Sequence, residues 1–352
     1  MRVSNRDRPL RILHLVPADG IGGVESAAKS MFDSYDVSCD FRLLFIEQQS
    51  PSKRAKPDIF TMFGANVNAF RQAKAFGPDV IVCSLWRSVP LALVLRATHR
   101  KSKLALFIHN DIAMHPLDTL FTKVAIRAAD VVWGDSEATI AARGVPRDRA
   151  RVISFVTDRL VAPEWHNPSP RFVSWGRLSH QKGIDRSIRL IAILAARGLD
   201  VRYDAYGPDG GALDGLMTLA RDLGVENRVR FPGAVLRNEL TEIAAQYRFF
   251  LQLSRSEGMC MAVVEAMQLG LVPIATKAGE MANYVSCGKT GISVNPDRLE
   301  VAADAVQRLI RDEISWRHHS DNAARYWLRA PLYGQDVCDA AHILVGSVSD
   351  EI

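Results

Sequence analysis

Two glutamates in the second half of the chain, Glu257 and Glu265, lie around a predicted helix start. In SEGMCMAVVEAM, Gly258 and Cys260 stand between a buried strand and that helix. The free N–H groups and positive dipole end of a helix bind anions such as a diphosphate. Because a helix rises about 1.5 Å per residue, Glu265 lies deeper than Glu257, so the pair can accept hydrogen bonds from two separate sets of ligand hydroxyls. The alternative is that Glu265 pairs with a nearby arginine or backbone group, since a buried carboxylate needs a partner.

Two cations lie in a loop between another predicted strand and helix. In WGRLSHQKG, Arg177 and Lys182 are five residues apart, and two such cations can bind the acidic oxygens of a diphosphate. His109 ends a further predicted strand, and open α/β sheets bind ligands at the carboxyl ends of their strands. A structural role for His109 remains the alternative.

Short apolar runs alternate with helix-length segments along the whole chain, which is typical of parallel sheets covered by helices on both faces. The predicted strands of the first half are 11–16, 41–46, 79–84, 103–109 and 130–136. Those of the second half are 171–176, 201–207, 228–233, 248–254, 271–276 and 291–294. Between the halves, VAPEWHNPSP carries three prolines and predicts a linker. We therefore predict an α/β protein with two doubly wound, Rossmann-like domains.

The composition is that of a soluble globular protein, with 48% apolar and 24% charged residues. The five cysteines show no CxxC spacing, which argues against a disulfide framework and a zinc site and favours the cytoplasm. No segment approaches the roughly 18 apolar residues of a membrane span. Residues 1–160 hold 23 Lys and Arg against 16 Asp and Glu, which indicates an anionic partner or simply a solvated surface.

Several enzyme classes lack their motifs in this sequence. GIGGVE after the first strand has Glu25 at the third glycine position of GxGxxG, which argues against a dinucleotide site. There is no Gly-x4-Gly-Lys-Ser/Thr loop of a P-loop kinase and no Asp-x-Asp pair to bridge a metal and a diphosphate. Cys260 at a helix start could be a reactive thiol, but its motif offers no histidine partner.

Taken together, these segments resemble the signature of the family 4 (GT4) glycosyltransferases, retaining enzymes of the GT-B fold. Glu257 and Glu265 have the family's Glu-x7-Glu spacing, and residues 175–183 resemble its Gly-Arg…Lys-Gly segment. Further similarity covers residues 206–211, 228–235 and 277–294. The sequence departs from the family where Met259 and Cys260 replace the usual Gly-Phe, which changes the wall of the donor pocket.

The resemblance implies a GT-B fold in which two domains face each other across a cleft. It places an acceptor-side domain at 1–165, a nucleotide-sugar domain at 166–330, and a C-terminal helix within 331–352 that packs back on the first domain. It also implies a metal-independent hexosyltransferase that moves a hexosyl group from a UDP- or GDP-sugar to an acceptor hydroxyl with retention of configuration. No metal or cofactor is expected, because the nucleotide sugar is a co-substrate.

The same resemblance assigns roles to individual residues. Arg177 and Lys182 bind the diphosphate, Glu257 the sugar hydroxyls and Glu265 the ribose, while His109 contacts the sugar from the first domain. The implied catalytic residues are His109, Arg177, Lys182 and Glu257. The implied donor-binding residues are Gly22, Gly23, Arg177, Lys182, Gly207, Val235, Glu257, Met259, Cys260, Met261 and Glu265.

The expected partners are the nucleotide-sugar donor and a glycan or lipid-linked acceptor, without nucleic acid, in cell-surface glycan or glycolipid synthesis. Residues 86–103 combine an apolar run with the cations Arg96, Arg100, Lys101 and Lys103. They predict either a helix lying on an anionic membrane, at the inner face of the cytoplasmic membrane, or an ordinary core helix. Two other functions stay open: a GT-B-fold sugar-nucleotide epimerase or hydrolase, and a non-catalytic nucleotide-sugar-binding partner subunit. The sugar and the acceptor are not specified by the sequence.

Overall fold

The structure, a computed structural model, describes residues 8–19, 23–32, 37–47, 59–109, 116–163, 170–286 and 288–346. The chain forms two compact units: unit 1 comprises Met1–Asp158 with Pro331–Ile352, and unit 2 comprises Arg159–Ala330. The first boundary therefore falls a few residues before the predicted 165/166. The last segment of the chain belongs to unit 1.

Hydrogen bonds on either side of Asp158 explain where the boundary falls. Just before it, Val156 accepts a bond from the Tyr333 amide of unit 1. Just after it, the Arg159 guanidinium donates to the Trp327 carbonyl of unit 2 at 2.6 Å. The chain is thus bound into unit 2 before the proline-rich segment begins.

Unit 1 is built on a six-stranded parallel sheet with the order β2-β1-β3-β4-β5-β6. Its strands are β1 (Leu10–Ala18), β2 (Cys39–Glu47), β3 (Val80–Ser84), β4 (Lys103–Ile108), β5 (Val131–Gly134) and β6 (Ala150–Val152). Its first five helices are α1 (Gly23–Ser30), α2 (Ile59–Phe76), α3 (Val89–Thr98), α4 (Pro116–Ala128) and α5 (Glu137–Ala142). Leucines and isoleucines on both faces of the central strands are buried under these helices, as the unbroken apolar runs predict.

Unit 2 repeats this architecture with the strand order β12-β11-β10-β7-β8-β9. Its strands are β7 (Phe172–Trp175), β8 (Tyr203–Tyr206), β9 (Val229–Gly233), β10 (Phe249–Gln252), β11 (Val272–Thr276) and β12 (Ile292–Val294). Its helices are α6 (Ile184–Ala196), α7 (Leu213–Asp222), α8 (Leu240–Ala244), α9 (Met261–Gln268), α10 (Met281–Tyr284), α11 (Leu299–Arg311) and α12 (Glu313–Tyr326).

Each sheet has a point at which its connections leave in opposite directions. In unit 2 the chain runs from β7 outward through β8 to β9 and then crosses to β10 on the other side of β7. In unit 1 the corresponding point lies between β1 and β3. Ligands of open α/β sheets bind at the carboxyl ends of the strands at such points.

The final helix, α13 (Tyr333–Leu344), packs on the sheet of unit 1. The Tyr333 ring stacks on Phe107 with a centroid distance of 5.9 Å. A disulfide joins Cys338 of α13 to Cys39 of β2, 299 residues away. The expectation that this chain forms no disulfide is therefore wrong, because the fold brings together cysteines whose spacing carries no signal. Among the helices that the structure describes, none is long and apolar enough to cross a membrane.

Candidate active site

Lys182 and Glu257 form an ion pair where β7 and β10 end. The Lys182 Nζ lies 2.8 and 3.1 Å from the two carboxylate oxygens of Glu257. Glu257 is only 7% exposed and accepts further hydrogen bonds from Ser254 Oγ at 2.6 Å and Gln252 Nε2 at 3.2 Å. Burial lowers the pKa of Lys182, but the charge of the Glu257 carboxylate and its hydrogen bond raise it, and the pKa lies above its usual value. The ammonium group is therefore charged throughout the neutral range.

Glycines allow the loops around this ion pair to approach one another. Gly183 has φ +64°, and a Cβ there would lie 1.9 Å from the Leu253 carbonyl oxygen. Gly279 has φ +54°, and its Cβ would lie 2.3 Å from the carbonyl oxygens of Glu257 and Gly258. A side chain at either position would push the loop away from the ion pair. The loops after β7, β10 and β11 thus hold Lys182 and Glu257 together.

Arg177 and Gly207 lie in the loops after β7 and β8. Arg177 is exposed to solvent. A residue that binds a ligand entering from solvent must be accessible in this way. Gly207 has φ +152°, and a Cβ there would lie 1.8 Å from the Gly176 carbonyl oxygen. Because Gly207 has no side chain, the two loops can pack closely. This packing alone requires a glycine here, whether or not the residue also contacts a ligand.

Glu265 lies on α9 and is paired with other protein groups in this structure. Trp175 Nε1 donates to its Oε2 at 3.0 Å, and Arg237 Nη1 lies 3.5 Å from its Oε1. The arginine pairing that the sequence left open is thus present. Its carboxylate, held between β7 and the segment after β9, is still only partly buried.

A cavity of about 320 Å³ opens beside this segment, at the carboxyl ends of β8 and β9. Its walls are Tyr206, Ala234, Val235, Glu239, Glu242, Ile243 and Gln246. Small-molecule sites occupy about 300–1,000 Å³. Val235, one of the predicted donor-binding residues, is therefore in the wall of a cavity of suitable size.

The turn into α9 contains the departures from the expected sequence. Cys260, just before Met261 opens the helix, has a positive φ of +59°, which is uncommon for a residue with a side chain. The Tyr284 hydroxyl donates to the Met259 carbonyl at 2.6 Å and supports this turn. Burial raises the pKa of the Cys260 thiol far above its usual value. The thiol is therefore neutral, which argues against a nucleophilic cysteine.

In unit 1, His109 belongs to a buried hydrogen-bonded group with His14, in the middle of β1, and Ser84, at the end of β3. Ser84 Oγ lies 2.7 Å from His14 Nε2 and 2.9 Å from His109 Nε2. Burial lowers the pKa of each histidine to about 3, and for His109 the neighbouring His14 adds to this lowering. Both rings are neutral at pH 7, so one donates to the serine oxygen and the other accepts its proton. His109 can therefore offer its remaining nitrogen to a ligand as a hydrogen-bonding group but not as a cation.

Sequence reasoning missed His14 and Ser84. Two polar residues in apolar strands could have indicated this group: a histidine inside the apolar run of β1 and a serine at the end of β3. These strands are neighbours and flank the point where the chain connections leave in opposite directions. Of the predicted glycines, Gly23 opens α1 and is exposed. Gly22 lies outside the described residues.

The basic segment 86–103 forms a core helix and the turn that follows it. Leu91 and Leu95 of α3 are buried. Arg96 donates to the Ser102 carbonyl at 2.5 Å and pairs with Asp130 at 3.2 Å. The structure thus corresponds to the second of the two interpretations, and α3 does not offer an apolar face to a membrane.

Residues 161–327 match the family model of the glycosyl transferases group 1. This part of the chain, which makes up most of unit 2, is similar to that family. A GDP-mannose:cellobiosyl-diphosphopolyprenol alpha-mannosyltransferase of Xanthomonas campestris is 27% identical over 191 residues, or 53% of this chain and 50% of that protein. The lipopolysaccharide core biosynthesis mannosyltransferase LpsB of Rhizobium meliloti is 28% identical over 260 residues, or 67% of this chain and 71% of that protein. The chain thus spans about half the length of the Xanthomonas protein that it matches.

Solved structures share the fold of this chain along nearly its whole length. HepE of Anabaena, crystallised with UDP and glucose, is similar with a TM-score of 0.76 and 18% identity, covering 96% of this chain and 100% of that one. The lipopolysaccharide outer core galactosyltransferase WaaB has a TM-score of 0.70 and 19% identity, covering 95% and 99%. These similarities confirm the predicted GT-B fold.

Proposed function

We propose that this protein is a group 1 glycosyltransferase, namely a retaining, GT4-type hexosyltransferase that uses a nucleoside-diphosphate sugar. The observation that carries the proposal is the Lys182–Glu257 ion pair at the ends of β7 and β10, beside the start of α9. A fixed cation and a helix N-terminus favour a diphosphate. A carboxylate held by Ser254 and Gln252 is oriented to accept hydrogen bonds from sugar hydroxyls.

In this mechanism the residues act mainly on the leaving group. As the bond between the sugar and the diphosphate breaks, negative charge grows on the diphosphate oxygens, and Lys182 and Arg177 stabilise it. Glu257 orients the sugar hydroxyls and Glu265 holds the ribose. The acceptor oxygen forms the new bond on the same face of the sugar, and its proton passes to the departing diphosphate, as the family resemblance implies. His109, to which the family resemblance assigns a contact with the sugar, is neutral at pH 7 and can act only as a hydrogen-bonding group.

The donor class is testable by ligand-induced stabilisation. UDP, GDP, UDP-glucose and GDP-mannose form a suitable panel, because relatives are named for GDP-mannose and one neighbour was crystallised with UDP and glucose. A ligand that binds only the folded state adds about 2.7 kcal/mol to the free energy of unfolding when its free concentration is 100 times its Kd. We expect one base to be preferred and the monophosphates UMP and GMP to act weakly. A panel without any stabilising diphosphate would contradict the proposal.

Turnover separates the proposal from its two alternatives. Incubation with the stabilising donor should consume it quickly only when an acceptor glycan or lipid-linked glycan is present. Rapid conversion of donor without acceptor would favour an epimerase or hydrolase. Binding without turnover under either condition would favour a partner subunit.

We expect activity to persist in excess EDTA. Lys182, Arg177 and the N-terminus of α9 already supply positive charge to the diphosphate, so a bridging cation is not required. Initial rates before and after chelation, with and without added Mg²⁺ or Mn²⁺, check this expectation. Loss of all activity on chelation with recovery on adding Mg²⁺ would contradict it.

We further propose that the protein works at the inner face of the cytoplasmic membrane on a lipid-linked acceptor, and that α4 makes the contact. Leu117, Leu120 and Val124 of α4 form an exposed apolar stripe, with 42%, 56% and 38% of each residue accessible. Lys123 and Arg127 are exposed beside it. An apolar stripe flanked by cations is suited to an anionic bilayer. The buried face of α4 lines the same small cavity as His109.

Vesicle co-sedimentation tests this contact. The protein should bind vesicles that contain phosphatidylglycerol and not pure phosphatidylcholine, and binding should weaken as salt rises. Changing Lys123 and Arg127 to serine should abolish it. The same change at Arg71 and Lys74, two exposed cations of α2, should leave it intact. An equal loss of vesicle binding in both double variants would contradict a role for α4. So would wild-type protein that does not bind vesicles containing phosphatidylglycerol.

A further inference from the structure

The Cys39–Cys338 disulfide belongs to a cluster that glycosyl transfer does not use. Cys39 opens β2, Ser38 precedes it, and Cys338 and His342 lie one turn apart on α13. The two cysteines and the histidine are buried. Cys39 Sγ lies 3.6 Å from His342 Nε2, and Ser38 Oγ lies 3.4 Å from Cys338 Sγ and 3.1 Å from His342 Nε2. Two sulfurs, an imidazole nitrogen and a hydroxyl therefore meet at one point.

These atoms are of the types found in a tetrahedral zinc site, and one sulfur–nitrogen distance already has the value that such a site requires. Zinc binds thiolate sulfur at about 2.3 Å and imidazole nitrogen at about 2.0–2.1 Å, so neighbouring sulfur and nitrogen ligands lie about 3.6 Å apart. The Cys39 Sγ–His342 Nε2 distance matches this value. Cys338 and His342, four residues apart on a helix, project from the same face. The three ligand atoms of Cys39, Cys338 and His342 all lie within 4.8 Å of one another.

We propose that the reduced form of this cluster binds one zinc ion through Cys39, Cys338 and His342, with Ser38 or a water molecule at the fourth position. Zinc binding and the disulfide exclude each other, because both use the two sulfurs. A dithiol reductant breaks the S–S bond, leaves two thiols on the protein and is itself oxidised to a disulfide. Zinc binding then displaces the two thiol protons.

The location gives such a site a defined consequence. β2 lies at the edge of the unit 1 sheet, and α13 is the helix by which the end of the chain returns to that sheet. Zinc or the disulfide therefore fastens α13 to β2, and reduction without zinc leaves α13 held only by its packing and hydrogen bonds. An oxidant would convert the two zinc-bound thiolates into the Cys39–Cys338 disulfide and release the zinc ion.

The test measures metal and not activity, so it is independent of the proposed transfer reaction. Full-length protein is reduced with a dithiol, loaded with zinc, passed over a desalting column and analysed for bound metal. We expect one zinc per chain in the reduced wild type and none in the disulfide form. His342→Gln and Cys338→Ser should retain less than a tenth of this zinc, whereas Cys83→Ser, which alters a buried cysteine of β3, should retain all of it.

Cobalt gives a second measurement, made on the wild type, that does not depend on how well the ligand variants fold. Reduced wild-type protein titrated with Co²⁺ should show the absorption of a tetrahedral thiolate complex, which Zn²⁺ should remove and which Cys83→Ser should keep. Reduced wild type that retains no more zinc than His342→Gln, or that shows no thiolate–cobalt absorption, would overturn the proposal.

Discussion

Replacing Lys182 with methionine will lower kcat/KM by about 10²-fold or more. The substitution keeps the apolar stem of the side chain and removes the charge that stabilises the departing diphosphate, an interaction worth about 3 kcal/mol in the transition state. Arg177→Ala should have a loss of the same order. Initial rates across donor concentrations measure the effect. Lys74→Met, at an exposed lysine of α2, is the matched control and should leave the rate unchanged.

The ion pair predicts that Lys182→Met also weakens the fold. Glu257 is left as a buried carboxylate without its cation, and breaking a buried pair costs about 3–5 kcal/mol. Adding Glu257→Gln removes the uncompensated charge, so the double variant should recover much of the lost stability and none of the activity. Thermal unfolding and kinetics of the two variants measure both effects. Normal turnover in Lys182→Met would remove Lys182 from the catalytic machinery.

Lowering the pH from 7 to 5 will destabilise unit 1. Burial lowers the pKa of His14 and His109 to about 3 in the folded state, whereas histidine in an unfolded chain titrates near 6.5. The unfolded state therefore binds more protons between these values, so stability is complete above pH 6.5 and is lost as the pH falls towards 3. Each histidine contributes a loss of about 2 kcal/mol by pH 5.

Proton NMR checks this prediction directly. The imidazole resonances of His14 and His109 should not titrate between pH 8 and pH 5 in the folded protein. The substitution His14→Gln keeps a hydrogen-bonding side chain but removes one titrating group. Below pH 6, the number of protons taken up on unfolding, obtained from the slope of unfolding free energy against pH, should therefore fall by about one. Titration of both buried rings near pH 6.5 would contradict the assignment.

Local sequence patterns predicted the strands well because a strand buried on both faces requires an unbroken apolar run. The short edge strand β6 escaped prediction, since its three residues are only half-buried and carry no such run. The Lys182–Glu257 region was predictable because each residue lies in the loop that follows a strand, and the adjacent parallel strands β7 and β10 bring these loops together. The sequence could not show that these two residues pair with each other, because that depends on how closely Gly183 and Gly279 let the loops approach.

Contacts between distant parts of the chain could not be predicted from the sequence, because they also depend on the tertiary fold. Cys39 and Cys338 show no spacing pattern, and their proximity depends on the return of α13 to the first sheet. His14, Ser84 and His109 come from three strands, so their hydrogen bonds follow from strand order and not from any motif. Glu265 was identified by its spacing, but its partner Trp175 lies on β7.

The return of α13 also bears on the order in which the protein folds during synthesis. Unit 2 is one continuous stretch, Arg159–Ala330, inserted into unit 1. A ribosome releases all of unit 2 before it releases α13, and domains generally fold as units while the chain is made. Unit 2 can therefore reach its native state first, while the sheet of unit 1 waits with the Phe107 surface uncovered until Tyr333 arrives. Nascent chains stalled before α13 should expose that apolar surface to chaperones.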